Sequence, residues 1–100
     1  MGAHNFEDQA YGATAVEAFN TAVADAEYES GHNAYNGTIS TNYDFIMVPL
    51  KEDESIDGWA RRMMDHEGVQ KWGPCACVKD PDTPEENGRW LWHFAGWASC

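Results

Sequence analysis

Cations are scarce in this sequence and unevenly placed. The 100 residues hold six Lys plus Arg against seventeen Asp plus Glu, for a formal net charge of −11, and residues 1–50 contain no Lys or Arg at all. Binding to a nucleic-acid backbone or an anionic membrane surface needs clustered cations, so the chain is expected to bind neither directly. Long apolar runs are missing too: no stretch approaches the ~20 residues of a bilayer span. The opening Met1-Gly2-Ala3-His4-Asn5-Phe6 has neither a basic n-region nor an apolar h-region. A soluble, cytoplasmic protein is the expectation. Phe6 stands where a myristoylation signal wants Ser or Thr. The three cysteines, Cys75, Cys77 and Cys100, are an odd count that cannot pair completely within one chain, so reduced thiols are expected.

Catalytic signatures are absent as well. There is no G-x-S-x-G elbow, no phosphate-binding G-x-x-x-x-G-K-[ST] and no G-x-G-x-x-G. Cys75, Cys77, Ser99, His32 and His93 are the groups a nucleophilic site would draw on, but no local pattern joins them. Cys75-Ala76-Cys77 places two thiols on one face of a strand, and with Cys100 or His93 they could surround zinc. The one-residue gap is shorter than structural zinc sites use, so half-buried thiols are the better reading. A non-enzymatic protein without metal or cofactor is expected.

Aromatic residues are plentiful: five Trp, four Tyr and four Phe. Each large ring buries roughly 150–250 Å², so an ordered core is expected despite the polar average, with surplus rings left for a pocket or a subunit interface. Residues 1–100 are long enough for one domain and too short for two.

Periodicity supplies the elements. His4 to Tyr11 reads as a strand ending at Gly12. Thr14-Ala15-Val16-Glu17 is a capping box that opens a helix with Val16, Phe19, Val23 and Ala26 on one face and Gly31 as its stop. Thr38-Ile39-Ser40 and Tyr43 to Val48 read as strand. Phe45-Ile46-Met47-Val48, apolar on both faces, is expected to be an inner strand. Ser55 caps a second helix with Ile56, Trp59, Ala60 and Met63 in register and Gly68 closing it. Lys71 to Lys79 and Arg89 to Ser99 are strands around a Pro- and Asn-Gly-rich hairpin turn. In the last strand Trp90, Trp92 and Phe94 face one way and Leu91, His93 and Ala95 the other, and Gly96 permits a bulge. The expectation is a small single α+β domain, β-α-β-α-β-β, with a mostly antiparallel sheet backed by two helices.

Two binding features follow. Gly31 to Ile39 leads from a helix end into a strand and presents His32, Tyr35 and Thr38; the simpler account is a C-cap and a tight turn. Arg61, Arg62, Lys71, Lys79 and Arg89 interleave with Trp59, Trp72 and Trp90, offering charge for phosphates and rings for a base; the simpler account is offsetting of nearby acids.

Gly31-His32 followed by Tyr35-Asn36-Gly37-Thr38-Ile39, then Lys71-Trp72-Gly73-Pro74, then Phe94-Ala95-Gly96-Trp97-Ala98-Ser99, resembles a widespread group of small tailed-phage proteins. That group continues Gly-Thr-Ile with Ala-Glu-Lys where this chain has Ser40-Thr41-Asn42, and ends in Phe-Phe-Gly-Trp where it has Phe94-Ala95-Gly96-Trp97. The resemblance implies a phage protein acting in an infected bacterial host, in a counter-defence role. Two routes are then open. One is sequestration of a nucleotide-type immune signal in a pocket shared within a homo-oligomer, with Tyr35, Trp72 and Trp97 as walls, His32 and Thr38 beside them, and Arg61, Arg62 and Lys71 toward phosphates. The alternative is an acidic decoy or inhibitor that presents the first helix and the Glu52 to Asp57 loop to a basic host defence or nucleic-acid-binding protein.

Overall fold

A computed structural model describes residues 3–30, 39, 42, 44–70 and 73–99. The elements run β1 (Ala3–Gly12), α1 (Ala15–Ser30), β2 (Phe45–Met47), α2 (Ile56–Met64), β3 (Cys75–Lys79) and β4 (Trp90–Ser99). They form the expected α+β domain, with one four-stranded sheet in the order β1-β4-β3-β2. Both β4 pairings are antiparallel, whereas β2 runs parallel to β3.

The two helices cover opposite faces. Phe6, Ala10, Cys75, Cys77, Phe94 and Ala98 pack with Ala18, Phe19, Ala22 and Ala26 of α1. Ala76, Val78 and Ala95 pack with Trp59, Ala60 and Met63 of α2. This is strand alternation made visible: odd residues of β3 meet one helix and even ones the other, so Cys75 to Val78 are all buried. It also corrects the reading of Phe45 to Val48 as an inner strand. β2 lies at the sheet's edge, and it is apolar on both sides because Phe45 joins the α1 core while Ile46 joins the α2 core.

Both helix starts behave as the caps require. The Glu17 N–H donates to Thr14 Oγ1 at 3.1 Å and the Gly58 N–H to Ser55 Oγ at 3.1 Å. The second helix stops earlier than Gly68, with Asp65 as its C-cap. The Asp65 and His66 N–H groups reach back only three residues, to Arg62 and Met63 carbonyls, so the last turn tightens. Met63 is the last residue of the buried stripe, and Val69 must turn back into the core, which a longer helix would prevent. Gly31, the expected stop of α1, lies outside the described residues.

No bulge occurs at Gly96. The β1–β4 register runs unbroken from Ala3↔Ser99 to Gly12↔Trp90. The glycine is needed for space: a Cβ there would lie 2.8 Å from Cys75 Cβ, and the ring of its cross-strand partner Phe6 sits 3.3 Å from the same point. At the hairpin tip, Asn87 (φ 55°) and Gly88 (φ 79°) both adopt positive φ, and Glu86 and Arg89 exchange two backbone hydrogen bonds around them. Among the described residues no helix is long and apolar enough to cross a membrane.

Candidate functional site

Among the described residues most of the aromatic rings lie in the core or pack against it. Phe19, Phe45 and Phe94 form a tilted cluster with centroids 5.1 to 6.2 Å apart. Trp59, 1% exposed, donates its indole N–H to the Val48 carbonyl at 2.9 Å and fastens α2 to the end of β2. Trp92 donates to Gly12 O at 3.0 Å. Trp97, expected as a ligand wall, is half-buried against the α2 core and donates to Met64 O at 3.2 Å. Among the described residues the exposed rings are Tyr28 on α1, 92% exposed, and Tyr11 on β1, 39% exposed.

Three of the five expected phosphate-binding cations have neighbours of their own. Arg62 makes a bidentate pair with Glu54, at 2.7 and 2.8 Å, and also donates to Pro49 O at 3.0 Å. That bond holds the Glu54 carboxyl down to about 2, helped by the Lys51 amide. Arg89 lies 3.4 Å from Glu17 across an exposed gap, and Lys79 Nζ sits 5.2 Å above the Trp90 ring. Arg62 is on the α2 side of the sheet, whereas Trp90 and Lys79 extend the alternate set that faces α1. Arg61 is exposed on α2. Lys71 and Trp72 lie outside the described residues, as do His32, Tyr35 and Thr38. Of the expected ligand set, therefore, Arg61, Arg62 and Trp97 are placed; Arg62 and Trp97 are tied into the packing around α2, and Arg61 is left in solvent.

The thiols are not poised for chemistry. Cys75 and Cys77 lie fully buried beneath α1, and burial pushes both up, Cys77 to about 12. A thiol held protonated is neither a nucleophile nor a metal ligand. Among the described residues no group of three His, Cys, Asp or Glu could hold a metal ion.

Carboxylates instead gather around the outer edge of β1. Phe6 and Ala10 of this strand face α1, and between them Asp8 is half-buried on the same side. Burial pushes the Asp8 carboxyl up; the Gln9 amide at 2.7 Å opposes this, and Asp25 and Glu29 of α1 add to the rise. Among the described residues Asp8 has no cationic partner. On the other face α2 packs over β4, leaving Glu7 and Gln9 exposed. Glu7, Asp8, Gln9, Ile56, Asp57 and His93 line a groove of about 270 Å³ along this edge. Both faces of one strand edge are thus acidic.

His93 lines this groove and is held by Asp80, the first residue after β3. Its Nε2 lies 2.6 Å from Asp80 Oδ2, with both side chains 13% exposed, while Asp80 Oδ1 accepts from the Asp82 and Thr83 amides at 2.8 and 3.0 Å. Alternation was the available signal: residues 76, 78 and 80 share a face with 93 and 95 across the hairpin. The chain matches no protein-family model, no curated protein and no solved structure.

Proposed function

We propose that this protein is a non-enzymatic binding protein that presents its acidic surface to a basic partner protein. The observation that carries this reading is the set of carboxylates on both sides of β1, Glu7 and Asp57 on one face and Asp8, Asp25 and Glu29 on the other. Asp8 is held there although burial and its acidic neighbours both disfavour its charge, an arrangement that costs stability and that an incoming cation would relieve. Tyr28 stands exposed between Asp25 and Glu29, one helical turn and one residue away, and tyrosine is a favoured anchor at protein interfaces. The tailed-phage resemblance points to a host defence or nucleic-acid-binding protein as the partner.

Nucleotide sequestration has less behind it among the described residues, because Arg62 and Trp97 already serve the fold. The test is capture from bacterial lysate on the immobilised protein, alongside native mass spectrometry with a panel of linear and cyclic nucleotides. A discrete basic protein, retained at about 0.1 M salt and released as screening increases, is the expected result. Intact nucleotide held at a fixed ratio to subunits, with no basic protein retained, would overturn the proposal.

A further inference from the structure

β1 is the longer of the sheet's two edge strands. It pairs with β4 through all ten residues, and no strand among the described residues lies on its other side. Alternate residues therefore turn their backbone N–H and C=O groups outward. Edges of this length are usually guarded by Lys, Pro or a bulge. β1 has no Lys, no Pro and an unbroken register; its guards are charges of one sign, Glu7 and the inward-facing Asp8, which oppose an acidic strand and not a cationic one. An exposed edge of that kind is a template for one more strand.

What surrounds the edge specifies the strand that fits. Side chains of an added strand alternate between the two faces, as those of β1 do. On the α2 side they would fall against Glu7, Asp57 and the 270 Å³ groove; on the α1 side, against Asp8, Asp25 and Glu29. A second copy of this chain is a poor occupant, since pairing β1 with itself would bring Glu7 and Asp8 against their own counterparts between two chains of net charge −11. A cationic segment satisfies both faces at once.

We propose that the outer edge of β1 accepts an extended segment of a partner protein as a fifth strand, with adjacent Lys or Arg residues placed one on each acidic face. This rests on the basic-partner reading and adds to it the mode of recognition: backbone pairing supplies the strand contact, and the carboxylates select for neighbouring cations.

The experiment uses the full chain, labelled with ¹⁵N, and a capped hexapeptide probe, Thr-Val-Lys-Arg-Val-Thr. Two further versions of the probe are N-methylated, one on each alternate set of amides. Only one of those sets can face β1, so one version should bind about tenfold more weakly than the parent and the other about equally. The parent peptide should shift alternate β1 amide signals, and the Glu7→Gln, Asp8→Asn double variant should bind it about tenfold more weakly. Equal binding of the two methylated versions would overturn strand addition and leave a purely electrostatic surface. Failure of the parent peptide, while lysate still yields a basic protein, would likewise overturn it without touching the broader reading. A bound peptide with no basic protein captured would support the edge and count against that reading.

Discussion

Asp80 Oδ2 lies 2.6 Å from His93 Nε2, so the first residue after β3 is bonded to the middle of β4, at a side chain that lines the acidic groove. The same carboxylate closes the turn that follows, through the Asp82 and Thr83 amides. One side chain thus joins the hairpin's connection to the face on which α2 packs.

That bond gives a signed acid dependence. Burial alone pushes the Asp80 carboxyl up, but the His93 bond and the two amides outweigh it and hold the group below its ordinary value. A depressed carboxylate stabilises the fold above its unfolded pKa, about 3.9, and that stabilisation is lost as pH falls through the folded value. Asp80→Asn should cost about 1.5–3 kcal/mol at pH 7, the usual worth of a hydrogen bond to a charged group. Urea unfolding from pH 7 down to pH 2 should show the gap between variant and parent closing below about pH 4. A gap independent of pH would mean that Asp80 acts through its shape alone.

Gly96→Ala tests the packing of strand against strand. The added methyl would stand 2.8 Å from Cys75 Cβ and 3.2 Å from Cys75 Cα, with the Phe6 ring close on the other side. Overpacking of this kind costs about 1–3 kcal/mol. In a domain of this size that corresponds to a fall in Tm of roughly 4–8 °C per kcal/mol, readable by circular dichroism. An unchanged Tm would show that β3 can move away from β4 without penalty.

Asp8→Asn is expected to separate stability from binding. The Asp8 carboxyl is pushed up by burial and by Asp25 and Glu29, so its ionised form is disfavoured in the folded state. The penalty is absent well below the unfolded pKa and grows as pH rises through it. The variant should therefore be more stable than the parent at pH 7 and no different at pH 3, while binding a basic partner more weakly. Thermal melts at the two pH values, paired with partner titration, measure both halves. A variant that loses stability at pH 7 would remove Asp8 from the functional argument.

Much of the architecture was legible because short-range rules decide it. Thr14 and Ser55 each cap the helix they precede, and Asn87-Gly88 takes the positive φ values of a tight hairpin turn. The alternation of Trp92, Phe94 and Ala95 assigned them correctly to opposite faces. Where a local pattern had two causes, the choice between them needed the rest of the chain. Apolar residues on both sides of Phe45 to Met47 fit an inner strand or an edge strand sandwiched between helices, and Gly96 fits a bulge or a close approach.

The expected binding residues show the same division. Arg62 and Trp97 looked available as charge and ring, yet Glu54 and the Met64 carbonyl are their partners, and a partner eight or thirty-three residues away leaves no local trace. Asp80 and His93, thirteen residues apart, were visible only through the hairpin register.

The sequence by itself determined the helices, the hairpin, the excess of negative charge and the lack of catalytic motifs, because capping, turn chemistry, periodicity and composition act over a few residues or none. Only the tertiary structure decided which strand is left at the edge, that the two helices lie on opposite faces, and that five carboxylates from β1, α1 and α2 flank that edge. Those outcomes depend on strand order and on helix placement, which are set by how the whole apolar surface is buried at once.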